Sequence, residues 1–445
     1  MNRIPLIRGF HGDGVFAHDG QRAIGANEFL GHVAQLAATL PDRGHVLNLF
    51  ADRYRFAVGL AAALVRNQVS LLPPNQTTHL IAQLAAGYPG LYCLADGDSR
   101  PAALETVPFP EFAAHQRGAL PVPMIPEGQV AAMVFTSGST GQPVPHVKTW
   151  GGLARGAGME LGRLGAQVCP GMYVLSTVPP QHMYGLESTV VMPMQGGLAL
   201  HAGRPFYPAD VCSELAALPR PRALVTTPVH LRVLLAEAGD LPAADLLLCA
   251  TAPLPPQLAA AAERRFSAPL HEIYGCTEAG QIATRRTVAS EEWEVLPGVV
   301  LSAEPRGTRV EGPHMEGNAV LGDIIELRGK VRFVLHGRTA DMINVAGKRT
   351  SIAHLNYHLN SIEGVQDGAF VMPERDGAAE PRLMAFVVAP ALTSQTLMSA
   401  LRERIDAAFL PRPLCFVDAL PRNATGKLPR DAVDVLLTGL ELKVE

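Results

Sequence analysis

Short apolar runs alternate with stretches of helical spacing along most of the chain. Runs at 46–50, 69–72, 90–94 and 131–135 read as strands, as do those at 173–178, 223–227, 245–250 and 270–274. Between them, apolar residues recur at helical intervals over 28–40, 56–65, 79–86 and 256–266. Proline or glycine closes most of these segments, as at Pro41, Pro73 and Pro179. Strands alternating with helices predict βαβ units and an α/β fold, a large N-terminal domain of mostly parallel sheets flanked by helices.

Beyond about residue 300 the pattern changes. Two strands are expected at 321–327 and 331–335 around Gly329, followed by a polar, glycine-punctuated stretch from Gly337. A helix at 352–359, strands at 368–372 and 383–388, a helix at 397–409, a strand at 415–417 and a last helix then predict a smaller α+β unit. The expected domains are 1–337 and 338–445, the second of roughly a hundred residues, an ordinary small-domain size. No internal repeat or low-complexity tract is visible.

One stretch carries the most chemistry. The strand expected at 131–135 runs into Thr136, Ser137, Gly138, Ser139, Thr140 and Gly141, with Lys148 after it. Glycines let the backbone curl, and a loop dense in N–H and hydroxyl donors suits an anionic group such as phosphate. Lys148 would add a mobile positive charge. A flexible surface loop is the plain alternative. No Gly-Lys-Ser/Thr follows, so this is not a Walker A loop.

Other expected strands also end in polar turns. One runs into Pro179, Pro180, Gln181, His182, Met183, Tyr184 and Gly185, and another into Thr251, Ala252 and Pro253. A third ends in Tyr274, Gly275, Cys276, Thr277 and Glu278. In open α/β sheets ligands gather at the carboxyl ends of strands, so His182, Thr251, Thr277 and Glu278 are candidates for one site. Glu278 beside a phosphate loop would suit Mg²⁺, or it is a helix N-terminal acid. Asp323 could grip vicinal ribose hydroxyls, or it is a turn aspartate. Lys427, in Asn-Ala-Thr-Gly-Lys, could reach a negatively charged transition state, or it is a surface lysine. His354 and His358 stand four apart but lack the HExxH glutamate, and they read as surface or packing residues. His146 remains open.

Composition narrows the partners. With 48% hydrophobic and 18% charged residues over 445 positions, the chain reads as well packed rather than disordered, with more than one domain. A net charge of −4 gives no reason to expect nucleic acid or an anionic membrane as partner. No stretch is apolar and long enough for a membrane span, and no signal-peptide core opens the chain. Six cysteines without a CxxC pair read as free thiols in a reducing cytoplasm.

Taken together and in order, these pieces resemble the AMP-forming adenylating superfamily of acyl- and aryl-CoA synthetases, peptide-synthetase adenylation domains and luciferases. The carriers are FTSGSTGQP, PPQHMYG, ATAPLPP, YGCTEAG, LGD with GRTADMINVAGKR, and LPRNATGK, which span about residues 130 to 430. The resemblance implies ATP and Mg²⁺ as cofactors, a carboxylic acid substrate, and CoA or a holo acyl carrier protein as thiol partner. It implies a small mobile C-terminal domain that carries Lys427. It also implies that Thr136, Ser137, Ser139, Thr140 and Lys148 hold phosphates, with Gly138 and Gly141 in the same loop. Thr277 would touch the α-phosphate, Glu278 would hold Mg²⁺, and Thr251, Ala252 and Tyr274 would lie by adenine. Asp323 and Arg338 would take the ribose. Lys427 would bridge the acid carboxylate and the α-phosphate, and His182 would gate the site. His182, Met183, Tyr184, Gly185, Gly197, Thr226 and Thr251 are the expected acid-pocket wall. Arg285, Arg286, Lys348 and Arg349 are candidate contacts for the thiol carrier.

The sequence departs from the family pattern in two places. Val144 stands where the family's loop lysine usually follows the proline, and Ala340 stands at the usual hinge position. The TSGSTGxP…KTW loop resembles short ligases of aryl-polyene and related aryl pigment pathways, which implies a hydroxybenzoate-type acid. A medium- or long-chain fatty acyl-CoA or acyl-carrier-protein ligase, and a non-catalytic adenylate-binding protein of the same fold, remain as alternatives.

Overall fold

The computed structural model describes the chain except residues 1, 98–99, 113–118, 138–142, 238, 306, 339–341, 346–347, 374–382, 424–425, 427 and 442–445. Among the described residues an eleven-stranded sheet runs in the order Asp323–Leu327, Arg332–Arg338, Trp293–Val295, Gly280–Arg285, Leu270–Cys276, Leu246–Cys249, Arg222–Thr226, Tyr173–Ser176, Ala199–His201, Val15–His18, Ala23–Gly25. From Leu270–Cys276 across to Val15–His18 the pairing is parallel, and both flanks are antiparallel. The central strands Leu246–Cys249 and Arg222–Thr226 are buried at every position, as expected of strands covered on both faces.

A second sheet orders Pro143–Thr149, Val130–Ser137, Val69–Leu72, His45–Asn48, Tyr92–Leu94 and Thr106–Val107, parallel except at its first pair. Helix Arg53–Val65 touches strands of both sheets. That position explains its composition, because a helix apolar on every side has to be buried on every side. Ala57 and Ala61 to Ala63 are wholly enclosed.

The expected helix at 256–266 is present with the same bounds, opened by Pro256 and closed at Ser267 in the left-handed region. Two expectations are corrected, and one element was not anticipated. Residues 321–327 are not one strand. Asn318–Leu321 pairs with Gly307–Glu311 in a separate sheet, while Asp323–Leu327 joins the large one, so the chain changes sheets at Gly322. The helix expected at 397–409 stops at Arg402. Asp406 starts a separate 3₁₀ turn by accepting a hydrogen bond from the Ala408 N–H. Residues after the glycine-rich loop form strand Pro143–Thr149, hidden in the sequence by its two prolines.

The C-terminal part has its own core of Leu355, Leu359, Phe370, Val387, Leu397 and Leu401. It is built from helices Ile352–Asn360 and Ser394–Arg402 over strands Asp367–Val371, Met384–Val388 and Leu414–Phe416. The fold is thus mixed α/β, a large sheet-rich N-terminal part followed by a smaller C-terminal one. No described helix is long and apolar enough to cross a membrane.

Candidate active site

The parallel register brings several strand ends level. Ser176 pairs with Val225, Thr226 with Cys249, and Cys249 with Glu272. The turns after these strands therefore open along one edge, and they contain Thr177, Thr227, Thr251, Thr277 and Glu278. Thr251 has φ +86, a backbone that favours glycine and strains a β-branched residue. Ala252 follows it in the same turn, half-buried.

Two residues expected to bind nucleotide touch directly. The Tyr274 hydroxyl donates to Asp323 Oδ2 at 2.7 Å, across 49 positions of sequence. The Tyr274 ring rests against Trp293 and Phe333, with centroids 5.6 and 5.5 Å away. Arg338 stands opposite Asp323 in the register of the neighbouring strands. The turn at Gly329, legible in the sequence, is what brings Arg338 back beside Asp323.

The hairpin of Val130–Ser137 and Pro143–Thr149 supplies the next group. Gly138, Ser139, Thr140 and Gly141 lie outside the described residues, and Ser137 ends the first strand. The Thr136 hydroxyl shares a hydrogen bond of 3.0 Å with His146 Nε2. The same imidazole lies 3.9 Å from the Glu278 carboxylate. Lys148 is not a mobile surface charge. Its side chain is 5% exposed, and Nζ donates to the Glu278 carbonyl at 3.1 Å. The physical reason is strand alternation. Val144, His146 and Lys148 share one face and become more enclosed along the strand.

Burial alone would raise the Glu278 carboxyl. Its own backbone N–H, the Cys276 thiol, His146 and Lys148 outweigh that and hold it below the usual range. Burial pushes the His146 imidazole down, and Lys148 adds to this while Glu278 opposes it. A cleft of about 260 Å³ opens here, lined among others by His146, Glu278, Met315, Glu316 and Asn318. Glu278 is thus an ionised carboxylate, half exposed at 48%, on a cleft wall. No described group of three or more His, Cys, Asp or Glu could hold a metal ion alone. A single open carboxylate fits Mg²⁺, which completes its shell with substrate phosphate oxygens and water.

The acid-pocket candidates are held by packing. His182 stands at the N-terminus of the short helix Met183–Leu186, in which Met183 and Tyr184 are buried. Gly185 lies so close to the Pro179 carbonyl that any Cβ would collide with that oxygen. Thr226 shares a hydrogen bond of 2.9 Å with Thr177. Arg53 fastens this region from inside. Wholly buried, it donates to Thr189 and to the carbonyls of Ser176, Val178, His201 and Gly203. Gly197 has a different place. It closes helix Met192–Gly196 at φ +68, packed against the Gly9 backbone, so it reads as a helix cap rather than a pocket wall.

Lys427 lies outside the described residues, but its neighbour Gly426 does not. Gly426 packs on Val229 at the start of helix Pro228–Ala236, and its carbonyl accepts from Arg422 Nη1 at 3.1 Å. Arg422 in turn pairs with Asp367 at 2.7 Å, and Arg232 on that helix reaches Asp367 at 3.4 Å. The lysine loop is therefore tied to the carboxyl end of Arg222–Thr226. Arg285 and Arg286 are committed elsewhere, to Glu272 and Glu263, and Lys348 pairs with Asp406. The sequence reading left His146 open and did not single out Arg53, Asp367 or Arg422. Only the proline-interrupted alternation after the loop could have placed His146.

Comparison with known proteins decides the family. A family model described as AMP-binding enzyme matches residues 75–304, and one described as AMP-binding enzyme C-terminal domain matches residues 358–427. The chain belongs to the AMP-binding enzyme family. This AMP-binding enzyme is therefore a member of the AMP-forming adenylating superfamily, of its acid–thiol ligase class. It is 31% identical over 304 residues to a 4-coumarate–CoA ligase of Rhodobacter capsulatus, covering 67% of this chain and 75% of that protein. It is 23% identical over 377 residues to a 3-hydroxybenzoate–CoA/4-hydroxybenzoate–CoA ligase of Thauera aromatica, covering 75% and 71%. In fold it resembles o-succinylbenzoate CoA synthetase (MenE) of Bacillus subtilis in complex with ATP and magnesium ion. There the TM-score is 0.74 and the identity 19%, over 94% of this chain and 96% of that one.

Proposed function

We propose that this AMP-binding enzyme activates a hydroxybenzoate-type aryl acid as its acyl-adenylate. It then passes the acyl group to a pantetheine thiol, on CoA or on a holo acyl carrier protein. The observation that carries the nucleotide half is the Tyr274–Asp323 hydrogen bond, with Arg338 opposite Asp323. An aromatic face and a carboxylate joined in this way suit adenine and the ribose hydroxyls next to it. The acyl half draws support from the aryl acids named for the two curated relatives.

In the first step a carboxylate oxygen of the acid attacks the α-phosphorus of ATP, and pyrophosphate leaves. Thr136 to Thr140 with Gly141 would surround the phosphates, and Thr277 would meet the α-phosphate. Glu278 would hold Mg²⁺, which neutralises charge on the phosphate oxygens. Lys427 would reach the bond-forming oxygens as charge gathers there, because fixed donors aimed at developing charge lower the barrier most. In the second step the thiol sulfur attacks the acyl carbon, its proton is lost, and AMP leaves. His182, Met183, Tyr184, Gly185, Thr226 and Thr251 would face the acid. Domains of 1–337 and 338–445, the second swinging Lys427 in and out, and a reducing cytoplasm complete the reading. The described cysteines, all unpaired, support that compartment.

The test is acid-dependent pyrophosphate exchange into ATP over benzoates, cinnamates and fatty acids, followed by thioester detection with CoA and with holo carrier protein. Exchange with hydroxylated aryl acids and none with fatty acids is expected. Exchange with fatty acids alone would move the reading to the fatty acyl ligases. Nucleotide binding without any exchange would make the chain an adenylate-binding protein.

A further inference from the structure

We propose that Lys148 is a positioning residue that fixes the Glu278 turn from behind, and does not grip the phosphates of the nucleotide. Four observations converge on this. The Lys148 side chain is 95% buried, and its ammonium is directed into the protein, where it donates to the Glu278 carbonyl. The same turn is held at its other end, where the Gln281 N–H donates to the buried Glu187 carboxylate at 3.4 Å. Gln281 Nε2 also reaches Glu160 at 2.8 Å and Ser188 at 2.9 Å, and Ser188 bonds Glu160. Between the two grips, Gly280 at φ +75 lies against Glu187, where a Cβ would come within 2.8 Å of Oε1. Glu278 to Gln281 are therefore stapled to a buried base whose ionisable groups are Lys148, Glu187 and Glu160.

The partners explain why a lysine is tolerated inside. A lone buried ammonium would be costly, and a hydrogen-bonded carbonyl with a carboxyl group nearby offsets part of that cost. Lys148 favours the ionised form of Glu187, while Glu160 opposes it. The other titratable groups facing Lys148 are Cys276 and Glu278, whose ionised forms it favours, and His146 and His314, whose imidazoles it disfavours as cations. Val144 is 43% exposed at the position the family's loop lysine usually takes, and Lys148 is turned inward. The charge the loop lacks at Val144 has not been moved along the loop. It has gone underneath the acid that faces the cleft.

The inference rests on Glu278 as the cation-holding carboxylate, so its test has a reading independent of that role. Hydrogen exchange of the amides of residues 278–281 is measured without nucleotide or Mg²⁺ in the native chain, Lys148→Met and Lys148→Met/Glu187→Gln. The double variant removes both ionisable groups and so remains informative if the single variant fails to fold. About tenfold faster exchange in either variant is expected, the size of one lost hydrogen bond. In pyrophosphate exchange the Mg²⁺ needed for half-maximal rate rises about tenfold, as for other groups that orient a metal ligand. Affinity for AMP, which lacks the β- and γ-phosphates, stays within about twofold. Unchanged amide exchange, with ATP binding weakened about tenfold relative to AMP, would overturn the proposal and make Lys148 a phosphate contact. Native protection in the double variant would also overturn it, because the Glu278 turn would then hold without Lys148. If no acid supports pyrophosphate exchange, the functional reading fails while the amide result still decides the role of Lys148.

Discussion

The two ends of the proposed site are built from different materials. At the nucleotide end, polar side chains far apart in sequence meet one another: Tyr274 with Asp323, Thr136 with His146, and Lys148 with the Glu278 backbone. At the acyl end, the shape is set by backbone approach and by one enclosed cation. Gly185 fits under the Pro179 carbonyl, and Arg53 satisfies carbonyls at the ends of two strands. Direct polar contacts recur in form wherever the same nucleotide is bound. A packed wall can take many shapes around many acids, so it leaves little trace in residue type.

If this contrast is sound, damage at the acyl end costs the fold and damage at the nucleotide end costs affinity or rate. Arg53→Met should produce the largest loss, about 3–5 kcal/mol of unfolding free energy, since several buried carbonyls lose a charged donor at once. Denaturant unfolding measures it, and a loss under about 1 kcal/mol would end the idea of Arg53 as the fastener. Lys427→Ala should lower adenylate formation by about 10²–10³-fold with stability unchanged. Preformed adenylate should still react with thiol, and equal loss of both steps would contradict the assigned role.

Tyr274→Phe should be milder. It keeps the ring on Trp293 and removes one hydrogen bond to Asp323, so KM for ATP should rise about three- to tenfold while kcat holds. A fall in kcat with KM unchanged would place Tyr274 in the chemistry instead. The subtlest effect is one of pH. Burial raises the Glu187 carboxyl to about 8 from its usual 4.5, with Glu160 adding to the rise and Lys148 opposing it. Between these values the folded chain holds a proton that the unfolded chain has released, so stability should decline as pH climbs through that window. Glu187→Gln should flatten the decline in thermal unfolding followed from pH 5 to pH 8. An unaltered slope would remove Glu187 from the buried base.

Much of the fold was legible because buried parallel strands announce themselves as continuous apolar runs, and helix 256–266 carries its own start and stop residues. The family was legible because its motifs fall in order. What could not be read has physical causes. Lys148 looked mobile because lysine is normally solvated, and Pro143 and Pro145 masked the alternation that turns it inward. Residues 321–327 looked like one strand because a Gly-Asp pair set between apolar residues does not say whether the chain continues or changes sheets. Gly197 looked like pocket lining, yet its positive φ and the Gly9 backbone beside it make it a helix cap. The link from Arg232 through Asp367 and Arg422 to Gly426 joins side chains that no local pattern connects.

Helix Arg53–Val65, shared by both sheets, has a consequence for how the chain can be cut. The adenylating family model begins at residue 75, after this helix and after the strands Val15–His18, His45–Asn48 and Val69–Leu72. A chain trimmed to that start would leave Ala199–His201 as a bare sheet edge and two apolar faces with nothing between them. Such an edge is a template for pairing with other chains, so the expected product is an aggregate rather than a smaller ligase. The first seventy-odd residues are the internal wall on which both halves of the N-terminal part are hung.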